Sequence, residues 1–264
     1  KAIGRILDYI EETKLIDNTV IILTSDHGEM IQDKGLYSKE MPYESCARIP
    51  FVVRYPKLFK KGSVKNEFVD LMDIFPTILD ITGIDYNYKK AHGQYSLHGE
   101  SLLRLQSPKR DRNYQWLEHG IGSKNEELNR RWIAIRDKKY KYIYFYSGST
   151  EQLFDLENDP GEIINLIGKN NFPEKDYKRL KDKCVEMEQN WGVGEYAKNG
   201  NLKKFSRIEY HKSFGSQYPV WANSQFQIFG EQSSHEESDI FVREILEATA
   251  HYSNPDFLKE LFPD

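Results

Sequence analysis

The sequence predicts an α/β protein: the C-terminal part of a mostly parallel sheet with flanking helices, then a small antiparallel sheet with one long helix. Three observations lead there. The run Val20-Ile-Ile-Leu23 is unbroken and mostly β-branched, as suits a strand buried on both faces, and it leads straight into Asp26-His-Gly28. Just before it, Ile3, Ile6, Leu7 and Ile10 recur at helical spacing, with Arg5, Asp8, Glu11 and Glu12 on the other face. After residue 106 the texture changes: Trp132–Arg136 and Lys141–Tyr146 read as antiparallel strands joined by the polar turn Asp137-Lys-Lys139.

Taken in order, residues 2–14 form the first helix and residues 19–24 the first strand, with Asp17-Asn18 as the turn between them. A helix feeding a parallel strand is half of a βαβ unit, so its first strand is expected before residue 1. Lys1 also reads as an internal start, because no Met opens the chain. Residues 28–48 are polar and irregular, as a functional loop beyond a sheet tends to be. Phe51-Val-Val53 is a second strand bounded by Pro50 and Pro56, and Phe68–Leu71 a third. Residues 73–82 form a helix with Asp73 as N-cap, Pro76 in the first turn and Gly83 at the end. Residues 84–100, rich in Tyr, Lys and His, form a loop. Gln152–Leu156 is a further strand, closed by the turn Asn158-Asp-Pro-Gly161. Residues 173–191 form an amphipathic helix carrying Tyr177, Leu180, Cys184 and Met187. Two helices, 238–250 and 254–262, are predicted near the end. The expected division is 1–105, 106–195 and a tail of 196–264.

Composition narrows the function class. At 264 residues, 39% hydrophobic and 13% aromatic, the chain can bury a core. Its net charge of −4 is spread along the chain, which gives no reason to expect a nucleic acid or an anionic membrane as partner. No apolar run approaches the roughly 20 residues of a membrane span. Cys46 and Cys184 lie far apart and read as buried, inert thiols.

The chemistry concentrates after the first strand. In open α/β sheets the ligand sits beyond the carboxyl ends of the strands, where Asp26 and His27 fall. A carboxylate oxygen with an imidazole nitrogen suits Zn, Mn or Mg; Ca prefers oxygen ligands but accepts one nitrogen. Lys39 is a compact cation on a mobile stem, suited to an anionic oxygen near the metal. Glu44 and Arg48 stand four apart, so a helical turn there would let them pair and lock the loop. His98 precedes Gly99, and His119 follows a strand and precedes Gly120; both are candidates to touch substrate. Lys138-Lys-Tyr-Lys141 reads as a half-exposed strand rather than a phosphate-binding patch.

These motifs occur in an order that resembles the C-terminal half of the sulfatases, in the alkaline phosphatase superfamily. They are Thr24-Ser-Asp-His-Gly-Glu29, Lys39, Tyr43-Glu-Ser-x-x-Arg-Ile-Pro50, the helix segment Asp70–Asp80 with its buried Phe-Pro-Thr, and Gly99-Glu-Ser-Leu-Leu103. Arg136–Tyr142 and Leu153–Glu162 with Asn165-Leu166 continue the likeness, which covers residues 1–190. It implies an alkaline-phosphatase-like fold, with Asp26 and His27 as two ligands of one divalent cation, usually Ca, with Mg, Mn or Zn as alternatives. It also implies Lys39 on a sulfate oxygen, and a sulfated small molecule or sugar as substrate. The family's nucleophile is a formylglycine made from Cys/Ser-x-Pro-x-Arg, and that pattern is absent from this chain; Cys46-Ala-Arg-Ile-Pro50 has the residue types in the wrong order.

The reading that follows is a sulfuric ester hydrolase, represented by its C-terminal portion. The alternatives are a phosphodiesterase or phosphonate hydrolase of the same superfamily, and a non-catalytic truncated fragment. The strand of residues 19–24 needs a neighbour on each side, so either the missing N-terminal half of the fold or a homo-oligomer is expected to cover it. Without a positioned nucleophile, the chain by itself is expected to have no turnover.

Overall fold

The computed structural model describes residues 1–36, 39, 41–86, 98–107, 112–120, 131–192 and 196–206. The two helices expected at 238–250 and 254–262 lie outside the described residues, as does most of the 84–100 loop. The chain forms two compact units. The first comprises residues 1–27 and 49–115; the second comprises 28–48 and everything from 116 onward.

In the first unit, helix α1 (Ala2–Glu12) leads through a single turn at Ile16–Asn18 into β1 (Ile21–Thr24). β1 pairs with β2 (Phe51–Arg54), Ile21 opposite Arg54 and Thr24 opposite Phe51. This pair is antiparallel; the parallel neighbour expected for β1 is one placed before residue 1, which this pair does not test. The antiparallel direction follows from the connection: the chain leaves β1 through the 28–48 segment and re-enters beside it from the same end. β1 is not buried on both faces, since Leu23 is 40% exposed. Helix α1 is amphipathic as predicted, yet none of its residues is buried, and Ile6 is 60% exposed. An open cleft of ≈ 910 Å³ lies along β2, lined among others by Phe51, Val53, Val69, Leu102, Leu105, Lys60 and Lys65.

The predicted strand at 68–71 is replaced by a cap. Asp70 accepts from Met72 N at 3.0 Å, and Asp70 N donates to Asp73 Oδ2 at 3.1 Å, a capping box around the turn Leu71–Asp73. A short helix, α2 (Glu44–Ala47), lies earlier in the chain, and helix α3 (Ile74–Thr82) follows here; Gly83 ends α3 in the left-handed region, φ 70°. Asp73 is not the side-chain cap of α3 that the sequence suggests. It is fully buried and grips Arg112: Nη2 donates to Oδ1 at 2.8 Å and Nη1 to Oδ2 at 3.0 Å. Asp73 Oδ1 also accepts from Glu100 N at 2.7 Å. Gly99 is required beside this knot, because a Cβ there would run into the Met72 carbonyl. Pro76 and Thr77 are buried as expected, but Phe75 is exposed and meets Tyr86 edge-on.

The second unit is built on a four-stranded sheet in the order β3-β4-β5-β6: β3 (Gln115–His119), β4 (Trp132–Arg136), β5 (Tyr140–Phe145) and β6 (Thr150–Asp155). β4, β5 and β6 pair antiparallel, as the alternating aromatics predict. Helix α4 (Glu174–Trp191) packs on the sheet through Leu180, Cys184, Val185 and Met187. It also carries a buried charge, Glu188, which accepts from Arg131 Nη2 at 2.9 Å, both side chains being fully buried. Burial pushes the Glu188 carboxyl up, against the pull of Arg131. The Arg131 guanidinium lies 3.9 Å from the centre of the Tyr196 ring, so a cation–π contact completes its surroundings. A short hairpin, β7 (Ala197–Lys198) with β8 (Asn201–Leu202), follows.

The Asp73–Arg112 pair gives a stability prediction. Asp73→Ala leaves a guanidinium with little solvent access and one carboxylate fewer, a loss of about 3–5 kcal/mol by analogy with broken buried ion pairs. Urea denaturation of the wild-type and variant chains, followed by the fluorescence or circular dichroism of the first unit, measures it.

Candidate functional site

Asp26 and His27 stand just past β1, and the structure brings them together. His27 Nε2 lies 3.3 Å from Asp26 Oδ2, and His27 N donates to Asp26 Oδ1 at 3.1 Å. Ser25 Oγ donates to the His27 carbonyl at 2.8 Å, which tightens the turn. Desolvation pushes the Asp26 carboxyl up slightly, but the backbone amides, the His27 imidazole and the Ser25 hydroxyl hold it below its ordinary value. The Asp26 side chain is 81% exposed and stays ionised, so an anionic oxygen and an imidazole converge on one accessible spot. Among the described residues, no cluster of three or more His, Cys, Asp or Glu side chains is arranged to hold a metal.

Gly28 follows and opens the second unit. A Cβ there would collide with the Ser45 carbonyl, and Gly28 N donates to the Cys46 carbonyl at 2.8 Å. The 28–48 segment is therefore closed at its base by contacts that only glycine permits. It is far from a polar surface loop. Met30, Leu36, Met41, Tyr43 and Cys46 are all buried and join Trp132, Ala134, Ile143, Phe145 and Phe154 in the core of the second unit. Ile31, Gln32 and Lys34 all adopt positive φ (42°, 68° and 54°), an uncommon backbone for residues with a Cβ and one that costs energy. Surrounding contacts hold it: Lys34 Nζ donates to the Gly161 carbonyl at 2.8 Å and to the Glu162 carbonyl, and Ser45 Oγ donates to Asp33.

The short helix α2 (Glu44–Ala47) carries the central contact of the segment. Glu44 does not pair with Arg48, as the four-residue spacing suggests; Arg48 is exposed, and Glu44 turns to the sheet. Arg136 Nη1 donates to Glu44 Oε2 at 2.6 Å, and Lys141 Nζ donates to Glu44 Oε1 at 3.1 Å. Lys141 Nζ also lies 2.9 Å from Glu162 Oε1, and Glu44 N donates to Glu162 Oε2 at 2.7 Å. Lys141 is fully buried, contrary to the half-exposed strand its neighbours suggest. Arg136 and Lys141 are cross-strand partners on β4 and β5, which places both cations beneath one carboxylate. Burial pushes the Glu44 carboxyl up, but Lys141 and Arg136 more than reverse this and hold it below its ordinary range.

The other candidates lie as follows. Lys39 is exposed in the 28–48 segment of the second unit. His98 is exposed in the first unit, next to Gly99. His119 ends β3 and stacks on Trp132, ring centres 5.9 Å apart at 23°. Cys46 and Cys184 are buried thiols outside any disulfide, and burial pushes both up, as inert cysteines require. Sequence reasoning missed Lys141 and Glu162. Their one local signal is a Lys within an apolar strand and a Glu after a Pro-Gly turn.

Residues 32–190 match the C-terminal region of the N-sulphoglucosamine sulphohydrolase family. The chain belongs to the sulfatase family. It is 37% identical over 183 residues to an arylsulfatase of Clostridium perfringens, a match covering 67% of this chain and 35% of that protein. It also resembles the structure of BT4656 in complex with its substrate D-glucosamine-2-N,6-O-disulfate, at 30% identity and a TM-score of 0.61, over 71% of this chain and 37% of that one. The phosphonate monoester hydrolase of Agrobacterium radiobacter shares the fold at 24% identity and a TM-score of 0.60, over 76% of this chain and 42% of that one. The fold is thus α/β, of the alkaline phosphatase superfamily, and the chain spans about a third of the length of the curated relatives it matches.

The Glu44 anchor gives a pH prediction. Its folded pKa lies below its unfolded value, so its contribution to stability is fully present above that unfolded value, near 4.5, and is lost as pH falls through the folded one. The denaturation midpoint is expected to drop between about pH 5 and 3, and Glu44→Gln to lower stability at neutral pH while flattening that drop. Denaturant melts of both chains across this range check it.

Proposed function

We propose that this chain supplies the cation-binding and sulfate-binding part of a sulfatase that hydrolyses a sulfate ester on a sugar. The observation that carries the reading is the convergence of Asp26 and His27 at an accessible strand end, in a chain of the sulfatase family. Asp26 offers an ionised carboxylate and His27 an imidazole, a donor set that fits one site on a divalent cation. Calcium is the cation the family resemblance favours, with Mg, Mn and Zn as alternatives. When bound, such an ion draws charge from the sulfate oxygens. Lys39 contributes a positive charge to a sulfate oxygen and stabilises the charge that develops as the ester bond breaks. The sugar class is supported by the disulfated glucosamine held by the 30% identical protein.

The nucleophile and the remaining cation ligands come, on this reading, from further polypeptide. The surface of the first unit supports this. Ile3, Ile6, Leu23 and Val52 are all exposed, and the cleft beside β2 is open. An apolar surface of this kind is ordinarily covered by protein. The phosphonate hydrolase likeness concerns the fold and leaves sulfate as the better-supported ester.

The test is sulfate release from glucosamine 6-sulfate and an aryl sulfate, with a phosphonate monoester beside them, using the polypeptide that carries this chain together with the nucleophile motif. Lys39→Ala is expected to lower kcat/KM by about 10²–10³-fold, the range for losing one preorganised charge-stabilising group. Asp26→Ala and His27→Ala are expected to raise the concentration of cation needed for half-maximal turnover. Faster turnover of the phosphonate, or full activity without Lys39, would overturn the assignment. The present chain alone is expected to release no sulfate above a heat-inactivated control.

A further inference from the structure

We propose that Lys141 is a positioning residue: buried under the 28–48 segment, it fixes the conformation of that segment and so the place of Lys39. The inference rests on the reading of Lys39 given above. Three observations carry it. First, the segment holds a conformation its own sequence does not favour, with Ile31, Gln32 and Lys34 all at positive φ. Something outside it must over-determine that backbone. Second, the contacts that do so converge on two carboxylates: Glu44, in the segment, and Glu162, whose Oε2 accepts the Glu44 amide and whose carbonyl accepts Lys34 Nζ. Third, one ammonium stands between those carboxylates. Lys141 Nζ is 3.1 Å from Glu44 Oε1 and 2.9 Å from Glu162 Oε1, with its side chain fully buried.

The charges explain why this is a lock rather than ordinary packing. Glu44 and Glu162 carry two negative charges close enough for the backbone of one to bond the carboxylate of the other. Without Lys141 they repel, and only Arg136 remains to balance Glu44. The apolar contacts of Met30, Leu36 and Met41 are non-directional and admit several seatings of the segment, whereas a buried ion pair with fixed partners admits one. Lys39 is exposed between buried Leu36 and buried Met41, so its place follows from the seating of those neighbours.

Hydrogen exchange of the full chain tests the lock without reference to activity. Lys141→Met alone takes the ion-pair partner from buried Glu162 and leaves Glu44 to Arg136, which risks unfolding, so the charge-neutral pair Lys141→Met with Glu162→Gln is the informative variant. The amides of Asp33, Leu36, Glu44 and Cys46, all hydrogen-bonded in the wild type, are expected to exchange at least about tenfold faster, and those of β5 and β6 within about twofold of wild type. Lys141→Arg, which keeps the charge, is expected to restore most of the protection. Unchanged exchange in the segment, or equal acceleration throughout the sheet, overturns the proposal. In the catalytically complete polypeptide, Lys39→Ala is expected to cost less in the unlocked background than in the wild type. Equal costs in both backgrounds would refute the link to Lys39. If Lys39→Ala has no effect even in the wild type, the sulfatase reading of Lys39 fails, and the exchange result decides the lock independently.

Discussion

Two carboxylates and two cations, Glu44 and Glu162 against Arg136 and Lys141, meet in the interior of the second unit, and most of what surrounds them follows from that meeting. Removing charges from water is expensive, and a buried pair recovers the cost only with good geometry and full hydrogen bonding. Here β4 and β5 supply the cations from adjacent cross-strand positions, and the 28–48 segment and the turn after β6 supply the anions. The sheet therefore reads as a template that selects one arrangement of the polypeptide laid upon it. A helix of four residues, α2, has no stability of its own at that length and persists because Glu44 is held.

The first unit uses the same device more sparingly. Asp73 and Arg112, with Asp70 and the Glu100 amide, tie the start of α3 to the segment that follows residue 98. Around that knot the apolar packing is thin: α1 buries nothing and β1 has one strand partner among the described residues. Asp26 and His27 end the first stretch of this unit, and Lys39 belongs to the other. The two units thus differ in their source of rigidity, the second polar and dense, the first held largely by a single buried aspartate.

Local pattern made much of this legible. Helical spacing located α1 and α4, start and stop residues located α3, and alternating aromatics with a polar turn located β4 and β5 within a residue. The strand end at Asp26-His27 was visible because an apolar run stopped at a glycine. What stayed hidden depended on partners far along the chain. Lys141 looks like a surface lysine until Glu44 and Glu162 are beside it, and Glu44 looks like a partner of Arg48 because helical spacing knows only near neighbours. The strand expected at 68–71 fails for a local reason: Asp70 and Asp73 cap each other's backbone and turn the chain. The antiparallel direction of the β1–β2 pair was hidden as well, because an apolar run reports burial and not strand direction.

The chain crosses between its units after residues 27, 48 and 115, which makes the second unit discontinuous. A piece cut to begin at Trp116 would keep β4, β5, β6 and all but the first residue of β3, but lose Met30, Leu36, Met41, Tyr43 and Cys46 from the shared core, leaving Lys141 without Glu44. The excised sheet would expose a greasy face with Lys141 in its middle paired to Glu162 alone. Modular exchange between relatives thus has to carry the segment after the Asp-His pair along with the C-terminal sheet, so the two stretches behave as one heritable block although 67 residues, 49–115, run between them.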